Sequence, residues 1–192
     1  GTHQLTVNQR PLNATLARQY DGTTASAGST LSSFDALQGG ETLTMTGSGT
    51  AASANVANGI TMSSNGNLAL ADGTGAASNY SLNSTVINVT QRPISLSGTR
   101  LYDATTNAVA SDLSTHANLV GSETLTLSGT GSLANANVGN NKTVTVGTLA
   151  LGNGSNGGLA GNYTLSGGTH QLTVNQRPLN ATLARQYDGT TA

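Results

Sequence analysis

The chain has 192 residues, of which only 7 are basic and 8 are acidic, and its net charge is −1. Nucleic-acid binding depends on clustered Lys and Arg, so this composition argues against a nucleic-acid partner. The sequence has no Cys and no long apolar run, so we expect neither disulfide bonds nor a membrane span in this fragment.

The first 25 and the last 25 residues of the chain are identical. Residues 1–25 and 168–192 both read GTHQLTVNQRPLNATLARQYDGTTA, at an offset of 167 positions. A single compact domain has no use for an unchanged copy, so the sequence predicts a repeating unit that continues beyond both ends of the chain. Residues 1–8, with alternating apolar side chains at Leu5 and Val7, are predicted to be the last strand of a preceding module.

The 167-residue unit contains a second, weaker repeat. A segment that begins with Gln-Arg-Pro and ends with Tyr-Asp, here called the lead segment, starts at Gln9, Gln91 and Gln176. Its tyrosine recurs at spacings of 82 and 85 residues, and a Glu-Thr-Leu-Thr run and an Asn-Tyr pair recur at matching positions. The sequence therefore predicts two diverged modules at 9–90 and 91–175, with the start of a further module at 176–192.

Each lead segment is predicted to form a strand. Five residues of the first lead segment share one parity: Leu12, Ala14, Leu16, Arg18 and Tyr20. Alternation places Arg18 and Tyr20 on the apolar face near the end of the strand, and Arg100 and Tyr102 take the same places in the second lead segment. Every lead segment has a proline at its third position, which fixes φ and predicts a stiff joint between modules. These prolines are Pro11, Pro93 and Pro178.

The scarce charged residues recur with the modules. All six arginines lie in the lead segments, two in each, and the only glutamates are Glu41 and Glu123, one per module. A semi-buried Arg needs a carboxylate or carbonyl partner, which predicts one ion pair per module. The predicted pairs are Arg18 with Glu41 or Asp21, and Arg100 with Glu123 or Asp103.

The segment Tyr20-Asp21-Gly22 is predicted to be a structural turn rather than a binding site. Asp bonds readily to the backbone, Gly permits a positive φ, and the tyrosine is expected to fill a corner with its hydroxyl bonded to backbone. No nucleophile motif and no metal-ligand spacing of His, Cys or Asp is present, so we predict no catalytic residue, no metal and no cofactor. Lys142, the only lysine, is expected to be a solvated strand residue.

Most of the remaining sequence alternates with period two. Runs such as those at 42–46 and 142–146, separated by Gly-, Asn- and Ser-rich breaks, predict half-buried strands. Only 29–37 and its counterpart 111–120 suggest a short helix or an irregular loop. The predicted fold is all-β, with tandem small antiparallel β-sandwich-like modules in an extended array. A β-helix is the alternative, because some strands start about 20 residues apart.

Three separated motifs in a fixed order carry a family resemblance. They are R-x-Y-D-G-T-T in the lead segment, A-N-V-G-x-x-K-T-V-T-V in the middle of a module and G-N-Y-T-L near its end. Together they resemble the YDG-type repeats of filamentous-haemagglutinin-like adhesins of two-partner secretion systems. The second module keeps the middle motif but has Ala104 in place of the glycine, whereas the first module lacks the Lys-Thr-Val-Thr-Val run.

The resemblance implies a non-enzymatic structural stalk in a large secreted bacterial adhesin or matrix fibre, which projects or links cells in adhesion and biofilm. It implies a location at the bacterial cell surface or in the extracellular matrix, and the absence of Cys suits such a protein. The expected partners are neighbouring modules of the same chain, with polysaccharide or a host surface as further candidates.

The alternative function is a carbohydrate-binding module that grips exopolysaccharide or host glycans directly. Sugar-binding sites present exposed aromatic platforms, whereas the tyrosines of this sequence stand in motifs that look structural. The sequence therefore favours the stalk.

Overall fold

A computed structural model describes residues 1–27 and 29–189 and confirms the all-β prediction. The predicted further module at 176–192 is described up to Gly189, and its last three residues lie outside the described part. The strands are β1 (Arg10–Gln19), β2 (Thr30–Phe34), β3 (Leu43–Thr46), β4 (Thr50–Ala51), β5 (Ala57–Ser64), β6 (Ala69–Asp72), β7 (Tyr80–Thr90), β8 (Arg92–Pro93), β9 (Ser95–Leu101), β10 (Asn107–Val109), β11 (Thr115–Ala117), β12 (Leu125–Ser128), β13 (Thr130–Ser132), β14 (Gly139–Thr143), β15 (Ala150–Asn153), β16 (Tyr163–Thr164) and β17 (His170–Asn175). Short 3-10 helices span Ala77–Asn79, Ala110–Asp112 and Ala160–Asn162.

The segments for which a helix was considered contain strands. Residues 30–34 form β2, which pairs antiparallel with β1, so that Ala14 lies opposite Phe34. The counterpart at 111–120 contains the end of a 3-10 helix and strand β11. In the first segment, the unpaired backbone edge of β1 supplies hydrogen-bond partners for an extended chain, and this tertiary pairing outweighs the local apolar spacing.

The chain divides into two compact units that do not coincide with the sequence modules. The first unit consists of residues 1–95, 116–127 and 150–168, and the second of residues 96–115, 128–149 and 169–192. The first unit therefore contains the whole of the first predicted module together with parts of the second.

The main sheet of the first unit is mixed rather than purely antiparallel. Its strand order is β2-β1-β7-β5-β4, and β1 and β7 run parallel from the pair Arg10 and Tyr80 to the pair Gln19 and Thr90. Parallel neighbours need a long connection, which the sixty or so residues between β1 and β7 supply. The first and last strands of the module thus lie side by side, which the antiparallel prediction did not foresee.

One buried cluster of the first unit joins this sheet to the smaller antiparallel sheet of β3 and β6. Leu12 of β1, Leu43 of β3 and Tyr80 of β7 form this cluster. Partly buried side chains pack against it, namely Phe34, Leu37, Leu70 and Ala77. Each fully buried Leu stabilises the fold by about 1.5–3 kcal/mol relative to an exposed one. This cluster fixes the strand β7 whose first residue, Tyr80, matters for the site below.

The second unit repeats the pairing of first and last strands. Its main sheet has the order β11-β9-β17-β14, and β9 and β17 are parallel, with His170 opposite Leu96 and Asn175 opposite Leu101. Leu96, Leu172 and Val174 are each at most 1% exposed. The closing strand of each repeat is therefore held by the lead segment of the same repeat.

The terminal copies of the 25-residue sequence contain no strand where they lack this pairing. Residues 1–9 are in no strand, although a strand was predicted at 1–8, and Leu5 and Val7 are 89% and 85% exposed. The same letters at 168–175 contain β17, because the lead-segment strand β9 lies beside them.

Candidate functional site

The loop that follows β1 closes around the side chain of Arg18. Arg18 is 9% exposed and Tyr20 3%, which confirms the parity of the first lead segment, whereas the same prediction was wrong for Tyr102 of the second lead segment, which is 36% exposed. The Arg18 guanidinium donates to the carbonyl oxygens of Thr23 and Ala25 and lies 3.3 Å from the Asp21 carboxylate. Asp21, rather than Glu41, is therefore the observed partner, because the loop brings it and two carbonyls to the guanidinium.

The second lead segment builds the same loop. Arg100 lies 2.6 Å from Asp103 and donates to the carbonyl oxygen of Thr105. The backbone amide of Thr105 donates to Asp103, and this bond, with a smaller contribution from Arg100, lowers the pKa of the Asp103 carboxyl. Ala104 takes the place of the glycine and adopts a φ of 65°. The loop therefore forms without glycine.

Gly22 in the first of these loops has a second role besides its φ of 77°. A Cβ atom at this position would lie 2.7 Å from Cγ1 of Val120, closer than carbon atoms can approach. Val120 belongs to the second module in the sequence. Glycine thus allows the first loop to approach a segment of the second repeat closely.

Tyr20 joins the first lead segment to the second repeat through a shared glutamate. Its hydroxyl donates to Oε1 of Glu123 at 2.7 Å, and the hydroxyl of Tyr163 donates to Oε2 of the same carboxylate at 2.7 Å. The two rings meet edge to face, with centroids 5.4 Å apart and an interplanar angle of 79°. We call Tyr20, Glu123 and Tyr163 the tyrosine clasp. The predicted bond from the Tyr20 hydroxyl to backbone was wrong, because a carboxylate takes its place.

Both phenols of the clasp stay protonated at neutral pH and can donate. Burial raises the pKa of Tyr163 to about 12, with a further contribution from its hydrogen bond to Glu123. Burial and the hydrogen bond to Glu123 also raise the pKa of Tyr20. A carboxylate that accepts from two phenols makes charge-assisted hydrogen bonds, which are stronger than neutral ones.

Further polar contacts surround the clasp. Asn162, which is 3% exposed, accepts from the backbone amide of Val56 and donates to the side chain of Asn55, both at 3.0 Å. Arg92 donates to the carbonyl oxygens of Asn118 at 2.7 Å and of Tyr20 at 3.5 Å. All these residues lie in the first compact unit.

Sequence reasoning did not assign roles in the clasp to Tyr163, Asn162 or Arg92. The available signal was their recurrence, because Asn-Tyr and Gln-Arg-Pro are landmarks of both modules. The glutamates were found by the same signal, but their predicted partner was Arg rather than Tyr.

The three prolines of the lead segments occupy different settings. Pro11 lies in β1, and Pro93 lies in β8, which pairs parallel with β16 so that Pro93 is opposite Thr164. Pro178 is in no strand. The stiffness of the joints remains a prediction.

Two further polar residues, His170 and Lys142, also have structural partners. His170 is 6% exposed, and its Nδ1 accepts from the backbone amide of Leu96 at 3.3 Å. Lys142 is not simply solvated, because it donates to the carbonyl oxygens of Asn135 at 2.7 Å and Asn137 at 2.6 Å. Residues 1–27 and 29–189 contain no group of three or more His, Cys, Asp or Glu side chains arranged to hold a metal ion. No helix within that same part of the chain has the length and apolarity to cross a membrane.

The mixed sheets, the arginine-centred loops and the clasp define an all-β repeat protein whose successive repeats share a hydrogen-bonded core of tyrosines. The YDG domain family matches residues 3–88 and again residues 86–172, so the chain belongs to this family. Neither the curated proteins nor the solved structures contain a match.

Proposed function

We propose that this chain is part of the non-enzymatic stalk of a large secreted bacterial adhesin or matrix fibre, of the filamentous-haemagglutinin-like type exported by two-partner secretion. Such a stalk, at the cell surface or in the extracellular matrix, projects or links cells in adhesion and biofilm. The observation that carries the proposal is the tyrosine clasp. It ties residues of two consecutive repeats into one compact unit.

A stalk needs joints that resist opening, and the clasp has suitable chemistry. Tyr20 is 3% exposed, so opening the joint would bring this aromatic side chain into water. It would also break the hydrogen bond from Tyr20 to the Glu123 carboxylate, and hydrogen bonds to charged groups are worth about 1.5–3 kcal/mol in proteins. The contacts of Asn162 with Asn55 and Val56 add to this resistance.

The joint can be tested by measuring a distance distribution between the repeats. The chain has no Cys, so spin labels on Thr61→Cys and Ser166→Cys, two exposed positions of the first compact unit that belong to different repeats, report on these two positions alone. We expect a narrow distribution in the parent chain and a broad one after Glu123→Ala. Glu41→Ala is the matched control and should leave the distribution narrow. A broad distribution in the parent chain would contradict the stalk proposal.

A glycan array separates the stalk from the carbohydrate-binding alternative. Tyr102 and Tyr187 are 36% and 94% exposed, and they are the aromatic side chains most able to meet a sugar. The stalk proposal expects no saturable binding to exopolysaccharide or host glycans. Saturable binding that Tyr102→Ala abolishes would favour direct glycan recognition instead.

A further inference from the structure

The first repeat carries a second copy of the pocket that receives Tyr20. In the second repeat, that pocket is made by Arg92, Val120, Glu123, Asn162 and Tyr163. The residues at matching positions of the first repeat are Arg10, Gln38, Glu41, Asn79 and Tyr80, which we call the Glu41 socket.

The Glu41 socket is built by the same internal contacts as its counterpart. Tyr80 donates to Oε2 of Glu41, as Tyr163 does to Oε2 of Glu123. The backbone amide of Gln38 donates to the Tyr80 hydroxyl at 3.3 Å. Arg10 donates to the carbonyl oxygen of Ala36 at 2.7 Å, as Arg92 does to that of Asn118. The socket therefore has the form that binds a tyrosine in the second repeat.

The two pockets differ in whether they are filled. Oε1 of Glu123 accepts from Tyr20, whereas the Glu41 socket opens to a cavity of about 320 Å³. This cavity is lined by the socket residues together with Val7 and Asn8. Asn162 is 3% exposed, but Asn79 is exposed.

The second repeat carries a matching, uncovered tyrosine. Tyr102 has the same place in its lead segment as Tyr20 but is 36% exposed, and Val138 has the position of Val56 but is 48% exposed. Both line a cavity of about 470 Å³. The loop that holds Tyr102 is already formed, because Arg100 and Asp103 make the same ion pair as Arg18 and Asp21. We call Tyr102, Asn137 and Val138 the Tyr102 face.

We propose that the Glu41 socket binds the Tyr102 face of a second copy of this chain. The Tyr102 hydroxyl then donates to the open side of the Glu41 carboxylate, and the Val138 amide donates to Asn79. The socket and the face are different surfaces, so the contact is heterologous and repeats head to tail. The inference rests on the proposed stalk function, since it applies the contacts of the tyrosine clasp within one chain to a contact between two chains.

A disulfide between two chains tests the contact, because the geometry of the clasp sets where the bond forms. A Cβ at position 22 would lie 3.8 Å from Cβ of Val120, a spacing typical of disulfides. The equivalent pair across two copies is Ala104→Cys on one chain and Gln38→Cys on the other. Under mild oxidation we expect this pair to form a covalent dimer at least about tenfold faster than Ser97→Cys with Gln38→Cys, since Ser97 is an exposed site outside the face.

Two further variants make the outcome decisive. Adding Tyr102→Ala to the Ala104→Cys chain should slow dimer formation by about tenfold, and this exposed residue can be changed without loss of the fold. A rate equal to that of the Ser97→Cys pair, or one insensitive to Tyr102→Ala, would overturn the inference. The double variant Gly22→Cys, Val120→Cys should close a disulfide within one chain. If it closes while the two-chain pair does not, only the further inference fails; if neither forms, the stalk proposal loses the clasp as well.

Discussion

Residues 1–8 and 168–175 have identical sequences and different structures. In the first copy Leu5 is 89% exposed and no strand forms, whereas in the second copy the same leucine is Leu172, which is 0% exposed in β17. The following residues show the reverse contrast, because 10–19 form β1 but 177–186 form no strand. Since the letters are the same, local propensity cannot explain the difference. The presence of a parallel partner strand explains it, as β9 lies beside β17 and β7 beside β1.

The largest expected effect comes from replacing the same leucine by alanine in each of the two copies. Leu172→Ala should lower the free energy of unfolding by about 2–5 kcal/mol, because it leaves a cavity in a packed sheet. Leu5→Ala is the matched control and should change it by no more than about 0.5 kcal/mol, as for an exposed residue. Urea denaturation of the two variants measures both values. Equal losses would mean that residues 1–8 also pack as a strand in solution.

The comparison also shows what the sequence could predict. Alternation correctly placed Leu12, Ala14, Leu16, Arg18 and Tyr20 on one buried face, because the period of a strand is a local property. The partnership of Arg18 with Asp21 is likewise local, since the two residues are three positions apart. Of these features only the ion pair follows from the lead segment alone, since it recurs in each copy that the structure describes, up to Arg185 and Asp188 at 3.2 Å.

The sequence alone could not predict contacts between residues that are far apart along the chain. Nothing in the alternation of residues 80–90 tells whether their neighbour is antiparallel or, as observed, the parallel strand β1. The partner of Glu123 was missed for the same reason, because Tyr20 is 103 positions away. A glutamate that recurs once per module predicts a recurrent role in the fold, but only the folded chain shows that a phenol of the preceding repeat reaches it.

The second comparison is between the pocket around Glu123, which Tyr20 fills, and the open Glu41 socket. It predicts the next largest effect on the free energy of unfolding. Glu123→Gln should lower the free energy of unfolding by about 1.5–3 kcal/mol, because the two phenols donate to different carboxylate oxygens and one of these becomes an NH2 group that cannot accept. Glu41→Gln should cost less than about 1 kcal/mol, since its oxygen can keep the bond from Tyr80 while its amide group faces the open cavity. Chemical denaturation of both variants provides the test, and a larger loss for Glu41→Gln would be inconsistent with the assignment of the two pockets.

Removing the hydroxyl of a single tyrosine tests the same pocket and is expected to have a smaller effect on the free energy of unfolding. Tyr20→Phe keeps the ring contact with Tyr163 but loses the bond to Glu123, so we expect a loss of about 1.5 kcal/mol in the free energy of unfolding, at the low end for a hydrogen bond to a charged group. Tyr187→Phe alters the same letter in the C-terminal copy, where the side chain is 94% exposed, and should have no measurable effect. A melting-temperature shift common to both variants would show that the loss does not come from the clasp.

The last prediction concerns the free energy of unfolding at alkaline pH. The effect is absent at neutral pH, where Tyr163 is protonated in both the folded and the unfolded chain. The pKa of Tyr163 is raised to about 12 in the folded chain, mainly by burial and then by the bond to Glu123, from a usual value near 10. The folded state therefore retains the phenol proton at pH values where the unfolded state loses it. The stability that the protonated Tyr163 contributes is fully present below about pH 10 and is lost as pH rises towards about 12.

We expect the free energy of unfolding to fall across this range, and to fall less steeply in Tyr163→Phe, whose side chain cannot ionise. Tyr187→Phe removes an exposed phenol and should keep the slope of the parent chain. If Tyr163→Phe and Tyr187→Phe show the same slope, the phenol of the filled pocket is not held protonated by burial and by the carboxylate that it shares with Tyr20.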